Sequence, residues 1–117
     1  MASNDRCLFC RIISGDIPAK KQYEDDDVVA FHDINPQAPT HVLVIPRKHI
    51  ASLDDLTAAD VSAIGTTLLR CSAIARDLKL AADGYRVVIN TGEAAGQTVF
   101  HIHFHILGGR NFGWPPG

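Results

Sequence analysis

The 117-residue sequence lacks the features that would indicate a membrane or a nucleic-acid polymer as its partner. No apolar run approaches the ~20 residues that a membrane helix needs, and residues 1–6 are polar, without the apolar core of a signal peptide. The formal net charge is only -2, whereas proteins that hold long nucleic acids or anionic membranes present a basic surface. We therefore expect a cytoplasmic protein that contacts neither membranes nor polymeric nucleic acid.

Internal repeats and low-complexity tracts are also absent, and cysteines are few. The length and the 46% hydrophobic content suit one domain, residues 1–117, whose small core would benefit from oligomerisation. Cys7 and Cys10 have a C-x-x-C spacing, which in a reduced protein indicates metal binding or redox chemistry before a structural disulfide. Cys71 lies in a helix-like stretch and is expected to be a buried, inert thiol.

Turn residues and apolar periodicity predict the order helix, three strands, helix, two strands. The acidic turn 25–27 separates two hairpin strands and is most simply solvated. Apolar residues at steps of three and four predict one long amphipathic helix, for which Thr57 and Asp60 supply a capping box. Strands interrupted by one long helix favour an α+β domain with a mainly antiparallel sheet. The predicted bounds are a helix at 7–14, strands at 20–24, 28–33 and 41–46, a long helix at 57–78, strands at 85–90 and 100–107, and a tail at 108–117.

Three histidines, His101, His103 and His105, occupy every second position in a run of large apolar residues. In a strand, successive side chains point to opposite faces, so the three imidazoles are expected on one face. One neutral imidazole can attack an electrophile while its neighbour donates a proton or stabilises charge, a division of labour that suits phosphorus. The spacing therefore favours phosphoryl-transfer chemistry, with a metal site or an accidental polar strip as the alternative.

Residues 101–107, His-Ile-His-Phe-His-Ile-Leu, match the signature of the histidine-triad (HIT) family, in which three histidines alternate with apolar residues. The Trp-Pro-Pro-Gly ending is similar to the Hint branch of that family, the purine nucleoside phosphoramidases. The resemblance implies a HIT-like fold, with a five-stranded, mainly antiparallel sheet, one long and one short helix, and sheets joined across a homodimer. Further segments that resemble the family are 31–34, 36–41, 44–46, 48–50, 96–100 and 107–110.

The activity that this resemblance implies is hydrolysis of the P–N bond in purine nucleoside 5′-phosphoramidates, such as adenosine phosphoramidate or adenylylated lysine, with AMP or GMP released and no organic cofactor. His103 is expected to attack the α-phosphorus and to become nucleotidylated. His41 is expected to hold the far nitrogen of His103, and His105 to hydrogen-bond the phosphate oxygens. His101 is expected to orient the site or to relay protons towards the departing amine.

A nucleotide pocket is implied as well. Asp33 is expected to accept the ribose hydroxyls, His32 to be a solvated strand histidine, and Trp114 of the partner subunit to help choose the leaving group. Thr98 replaces the serine of many relatives but keeps the hydroxyl. The residues expected around the phosphate are Asn90, Gly96, Gln97 and Thr98. The residues expected as apolar walls for the base, each of which taken alone could equally be core, are Leu8, Phe9, Ile17, Phe31, Ile34 and Leu43.

A zinc site is implied by microbial members of the family, which carry a similar cysteine pair. The ligands by this resemblance are Cys7, Cys10, His49 and His101, and two sulfurs with two nitrogens suit a tetrahedral structural zinc. The alternative is a pair of uncoordinated thiols near the start of a helix. With zinc bound, His101 would not be available as a proton donor.

Three other functions compete with the phosphoramidase. They are a dinucleoside polyphosphate hydrolase or nucleotide transferase, a non-catalytic AMP-binding scaffold, and a simple zinc-binding module. A transferase of this family would show glutamine at position 105, where this chain has histidine. That histidine and the Trp-Pro-Pro-Gly ending favour the phosphoramidase.

Overall fold

The computed structural model describes residues 6–117, so the first five residues of the expected domain 1–117 lie outside the described part. The order of elements agrees with the prediction. They are α1 (Leu8–Ser14), β1 (Lys21–Glu24), β2 (Val28–His32), β3 (Thr40–Pro46), α2 (Val61–Asp77), β4 (Tyr85–Val88) and β5 (Phe104–Gly108), with 3-10 turns at Leu53–Asp55, Ala58–Asp60 and Glu93–Ala95. No helix within residues 6–117 is both long and apolar enough to cross a membrane.

The five strands form one sheet in the order β1-β2-β3-β5-β4, and every neighbouring pair is antiparallel. The last strand of the chain therefore lies in the interior of the sheet. Its residue Ile106 pairs with Val42 of β3 on one side and with Val87 of β4 on the other. These pairings confirm the predicted α+β class with an antiparallel sheet.

The two helices pack on opposite faces of the sheet. Successive strand side chains point to opposite faces, so each face presents apolar residues to one helix. Residues of one face, including Val42, Phe104 and Ile106, pack with buried residues of α2 such as Ile74. The other face carries a second apolar cluster, formed by Phe9 and Ile12 of α1 with Val29, Phe31, Leu43 and Ile45. The histidines of β5 lie on the second face, beside α1.

The long helix begins later than the predicted residue 57. A 3-10 turn at Ala58–Asp60 precedes the α-helix Val61–Asp77, and the predicted capping box is present. The Asp60 carboxylate accepts the Thr57 backbone N–H at 2.9 Å and also lies 2.5 Å from the Lys48 amine. Cys71 of this helix is 1% exposed, and burial raises the pKa of its thiol to about 12, as expected of an inert core cysteine.

The histidine strand is shorter than predicted. Regular pairing covers Phe104–Gly108 rather than 100–107, and β4 ends at Val88 rather than at residue 90. The register that pairs Val44 with Phe104 would next bring in Pro46, which has no N–H to donate. Residues 101–103 leave the ladder, and the Ile102 N–H binds the Ile50 carbonyl oxygen at 2.7 Å instead.

The acidic turn 25–27 is not merely solvated. One oxygen of the Asp25 carboxylate lies 2.6 Å from Arg70 Nε of α2 and 2.7 Å from the Tyr23 hydroxyl, and the other accepts the N–H groups of Asp27 and Val28. Partial burial would raise the pKa of Asp25, but the hydrogen bonds from Arg70, Tyr23 and the backbone hold it well below its ordinary value. This carboxylate fastens the first hairpin to the long helix.

Asp25→Asn is expected to lower the free energy of unfolding by about 1–3 kcal/mol, because the amide keeps only one acceptor oxygen, so either the Arg70 and Tyr23 donors or the two backbone N–H groups lose their acceptor. Asp26→Asn, in the middle of the same turn, is the matched control and should change it by less than about 0.5 kcal/mol. Urea unfolding of the two variants makes the comparison. Equal losses in both would show that the turn, and not the Arg70 contact, is responsible.

Candidate active site

A cavity of about 370 Å³, here named the histidine cavity, opens between α1 and the second face of the sheet. All six predicted apolar wall residues line it, together with Asp33, Gly96, Thr98, His103 and His105. The full lining is Leu8, Phe9, Ile12, Ile17, Pro18, Ala19, Lys20, Phe31, His32, Asp33, Ile34, Leu43, Gly96, Thr98, Val99, His103 and His105. The cavity is therefore apolar along the walls and carries titratable rings at one end.

His103 presents one ring nitrogen to this cavity in a defined state. Its Nδ1 lies 2.7 Å from the backbone carbonyl oxygen of His101. A carbonyl oxygen can only accept, so Nδ1 carries the proton and Nε2 keeps its lone pair. Burial lowers the pKa of His103, with the bond to the His101 carbonyl and the charge of Asp33 opposing it. The ring, 8% exposed and packed edge-on against Phe9, is thus a neutral imidazole with an available Nε2.

His41 and His105 form a second chain of hydrogen bonds. The Gln37 backbone N–H donates to His41 Nδ1 at 3.0 Å, so the proton of neutral His41 is on Nε2. That Nε2–H donates to His105 Nδ1 at 2.9 Å, which leaves the His105 proton on its own Nε2. The His105 Nε2 is buried and has no hydrogen-bond partner within residues 6–117. It is therefore an unused donor next to the lone pair of His103, whose ring centroid is 5.0 Å away.

The prediction that His41 holds the far nitrogen of His103 is wrong. That nitrogen is bound by the His101 carbonyl, and the His41 ring reaches His105 instead, with Asp33 Oδ2 3.5 Å from its Nε2. The reason is the register, in which β3 residue His41 pairs with Leu107, two residues beyond His105.

Burial lowers the pKa of His105 to about 4, and the neighbouring His103 and His41 act in the same direction.

The loop that leads to the histidines is held by Gln97. Its Oε1 accepts the Gly92 N–H at 2.9 Å, and its Nε2 donates to the carbonyl oxygens of Ala51 and Val99 at 2.8 and 3.2 Å. The side chain is 2% exposed. The expectation that this side chain contacts phosphate is therefore wrong, because its amide oxygen and nitrogen are already hydrogen-bonded within the protein. Gln97 is instead the residue that shapes the loop.

Two residues next to Gln97 line the histidine cavity, and their expected contact with a phosphate stays a prediction. Gly96, whose φ is +98°, and Thr98 both line the histidine cavity, and the positive φ explains the glycine. The Asn90 side-chain nitrogen lies 4.0 Å from the position that a Cβ on Gly96 would occupy. Asn90 is thus beside the loop, although it does not line the cavity.

Cys7, Cys10, His49 and His101 form a cluster outside the histidine cavity. His101 Nε2–H donates to the Pro46 carbonyl at 2.8 Å, so its Nδ1 keeps the lone pair, which lies 3.5 Å from Cys7 Sγ and 3.6 Å from Cys10 Sγ. His49 Nδ1 is 3.3 Å from Cys10 Sγ, and all four donor atoms lie within 4.8 Å of one another. Donors about 2.0–2.3 Å from a tetrahedral zinc are spaced in this way. The set fits zinc, and the Pro46 carbonyl orients His101 as an outer-shell partner would.

Because the His101 ring belongs to this cluster, it cannot donate or accept protons in the histidine cavity. The ring is 0% exposed and does not line the histidine cavity, and burial lowers its pKa to about 4. The expected proton relay through this imidazole is therefore wrong. His101 does orient the site, but through its backbone carbonyl, which binds His103 Nδ1. A pattern of side chains could not have indicated this role.

Two further predictions concern the wall and the tail. His32 lines the cavity and binds Gln22 Oε1 at 2.9 Å through its Nε2, so it is not a merely solvated histidine. Lys20 and Pro18 also line the cavity, although sequence reasoning did not select them. Trp114 is 84% exposed and lies outside the histidine cavity of its own chain. Its expected action in a partner subunit remains a prediction.

Comparison with known proteins matches this architecture to one family. The model of the HIT domain matches residues 14–112. The chain belongs to the HIT family. It is 52% identical to an uncharacterized HIT-like protein of Synechocystis, over 94% of this chain and 96% of that one, and 44% identical to the purine nucleoside phosphoramidase of Escherichia coli K12, over 93% and 92%. A HIT family hydrolase from Legionella pneumophila has a TM-score of 0.94 at 48% identity, over 96% of this chain and 100% of the other.

The pairing of His41 with His105 predicts an acid-sensitive fold for this HIT protein. Burial holds the pKa of His105 at about 4, against an ordinary value of 6.5. Between these two pH values His105 is protonated in the unfolded chain but not in the folded one, so the free energy of unfolding decreases as the pH falls below 6.5. His105→Gln removes this group and should reduce the proton uptake on unfolding by about one between pH 6.5 and pH 4. The measurement is the pH dependence of the urea midpoint, and identical slopes for both proteins would contradict it.

Proposed function

We propose that this HIT protein is a nucleotide hydrolase that cleaves the P–N bond of purine nucleoside 5′-phosphoramidates and releases AMP or GMP. The proposal rests above all on one observation, the Nε2 lone pair of His103 in the histidine cavity beside the Nε2–H of His105, which has no partner within residues 6–117. The 44% identity to the phosphoramidase of Escherichia coli supports the same substrate class.

In the first step, the lone pair of His103 Nε2 attacks the α-phosphorus and the P–N bond to the amine breaks. The Nδ1–H bond to the His101 carbonyl stabilises the positive charge that grows on the ring. The Nε2–H of His105 donates a hydrogen bond to the phosphate, while the departing nitrogen takes up a proton from solvent and leaves as the neutral amine; hydrolysis of the intermediate by water returns that proton. Water then hydrolyses the nucleotidyl-histidine, which releases the nucleoside monophosphate and restores the neutral ring.

The remaining walls suit a nucleoside. Phe9, Phe31 and Leu43 offer apolar surface for a base, and the Asp33 carboxylate, which lines the same cavity and is about one-fifth exposed, would accept the ribose hydroxyls. Gly96 and Thr98 lie on the side of the histidines, where their backbone and hydroxyl donors suit the phosphate. A cavity of about 370 Å³ is in the range of small-molecule sites.

His103→Asn is expected to lower turnover of adenosine 5′-phosphoramidate by about a thousandfold or more, because the nucleophile is lost, while AMP still binds. His32→Gln is the matched control, since it changes the cavity wall and should act on KM more than on kcat. Intact-mass measurement should find a nucleotidyl adduct on His103 of the native protein. A scaffold would bind AMP without turnover in either form, and faster cleavage of diadenosine polyphosphate would place the protein in the other enzyme class.

We also propose that Cys7, Cys10, His49 and His101 hold one structural zinc ion, which would supply folding free energy by joining α1 to the segment that precedes β5. The support is the donor set itself, two sulfurs and two nitrogens within 4.8 Å of one another, with the lone pair of His101 directed at the thiols. Each ligand position is filled by protein, so the metal would have no open position for substrate.

The zinc proposal predicts about one zinc per chain, measured by elemental analysis of protein purified without added metal. Cys10→Ser should lose most of it, whereas Cys71→Ala, which alters a cysteine of the helical core, should retain it. Chelation should lower the free energy of unfolding of the native protein by about 2–4 kcal/mol and leave that of Cys10→Ser unchanged. Equal metal contents in the two variants would contradict this ligand set.

Finally, we propose a cytoplasmic homodimer in which Trp114 of the partner subunit borders the leaving group. The support is the exposed apolar surface of α2, at Val61, Leu68 and Leu69, together with the edge of β4. Within residues 6–117, β4 pairs only with β5, so its outer edge keeps backbone groups that a second copy could bind.

A further inference from the structure

One residue, His101, joins the cysteine cluster to the candidate nucleophile. Its imidazole Nδ1 lies 3.5 Å from Cys7 Sγ and 3.6 Å from Cys10 Sγ, and its own backbone carbonyl accepts the Nδ1–H of His103 at 2.7 Å. The ring and the carbonyl belong to the same residue, so a movement of the ring that turns the backbone changes the acceptor of His103. We propose that Cys7 and Cys10 form a thiol–disulfide switch that controls His103 through His101.

The two thiols are placed for oxidation to each other. Cys7 precedes α1, and its Sγ accepts the Cys10 backbone N–H at 3.3 Å, which holds the two residues of the C-x-x-C segment on one turn. The sulfurs belong to a cluster whose donor atoms all lie within 4.8 Å of one another. A disulfide needs the sulfurs about 2.05 Å apart, so a change in side-chain rotamers must bring them together. The bond also consumes both S–H groups, so neither sulfur can donate to the His101 Nδ1 any longer.

An oxidant reaches this pair from one side. A second cavity of about 450 Å³, here named the cysteine cavity, is lined by Cys7 and His49 together with Arg6, Leu8, Thr98, Val99 and Phe100. Cys7 is half-buried, whereas Cys10 is 3% exposed. Cys7 is therefore the thiol that meets a small oxidant, and Cys10 is the buried partner that resolves the product.

The reaction balances with a peroxide as the oxidant. The Cys7 thiolate attacks hydrogen peroxide, forms a sulfenic acid and releases water; the Cys10 thiolate then attacks that sulfur and releases a second water. Two thiols and one peroxide give one disulfide and two waters. A dithiol reductant reverses the change. Because the disulfide consumes both sulfur donors, it cannot coexist with a metal bound by the same residues.

The consequence for His103 follows from what supports His101. The ring of His101 is held by the Pro46 carbonyl at 2.8 Å and by the two sulfurs. When oxidation removes the two S–H donors, the Nδ1 side of this buried ring loses its hydrogen-bond partners, and the carbonyl is no longer fixed in position. His103 then loses the acceptor that keeps the proton on Nδ1, so a fraction of the rings carries it on Nε2, where the lone pair is required.

The test treats purified, reduced protein with hydrogen peroxide in the presence of a chelator, which traps any metal that is released. The mass should fall by two hydrogen atoms, with peptide mapping placing the bond between Cys7 and Cys10. We expect kcat for adenosine 5′-phosphoramidate to fall about tenfold or more, with a smaller change in AMP affinity, and dithiothreitol should restore activity. The ¹⁵N shifts of His103 should change from the Nδ1-protonated pattern towards a mixture of tautomers.

Two variants serve as controls, each compared with its own untreated sample. Cys7→Ser keeps an oxygen that caps α1 but cannot form the bond, so its kcat should not respond to peroxide. Cys71→Ala should respond as the native protein does. The switch would be disproved by a Cys7–Cys10 disulfide that leaves both kcat and the His103 spectrum unchanged, by the absence of that disulfide, or by an equal loss of activity in Cys7→Ser.

This inference rests on the proposed function only for its kinetic measurement. If reduced protein fails to hydrolyse any phosphoramidate, the proposed function is wrong, yet the disulfide and the ¹⁵N spectrum of His103 still decide whether the cysteines control that ring. If reduced protein is active and the spectrum does not respond to the disulfide, the inference alone is wrong.

Discussion

A backbone carbonyl can only accept a hydrogen bond, and the site depends on where one such oxygen lies. The His101 carbonyl, 2.7 Å from His103 Nδ1, places the proton on that nitrogen and leaves the lone pair on the other. A second chain, from the Gln37 N–H through His41 to His105, places a proton on the His105 nitrogen beside it. Two neighbouring imidazoles thus have opposite roles, acceptor and donor, although both are neutral.

The His101 carbonyl is available to His103 because regular strand pairing begins only at Phe104. Had residues 101–103 continued in the β3–β5 ladder, their backbone groups would have been used by the neighbouring strand. Pro46 cannot donate to such a ladder, and its own carbonyl instead orients the His101 ring. The break in regular pairing therefore supplies the irregular backbone that both the nucleophile and the cysteine cluster use. It is the same break that made the predicted strand too long.

Sequence reasoning succeeded where the pattern is local. The spacing of the three histidines predicted that their rings share one face, and all three lie on the side of Phe9; the capping box at Thr57 and Asp60 is present. The apolar walls, selected through the family resemblance, all line the cavity. What failed depends on distant partners: the contact of His41 depends on the register of β3 with β5, and Gln97 binds Ala51, which is 46 residues away. Neither periodicity nor a motif carries that information.

The order of the strands has a consequence for how the chain acquires this structure during synthesis. β5, made last, must insert between β3 and β4, so every shorter nascent chain leaves both partners with unpaired backbone groups. Contacts such as Cys7 with His101 close loops of 94 residues, which slows folding relative to local pairing. A ribosome-bound chain therefore exposes these unpaired strand edges until β5 has emerged, and chaperones that shield such edges would act in that interval.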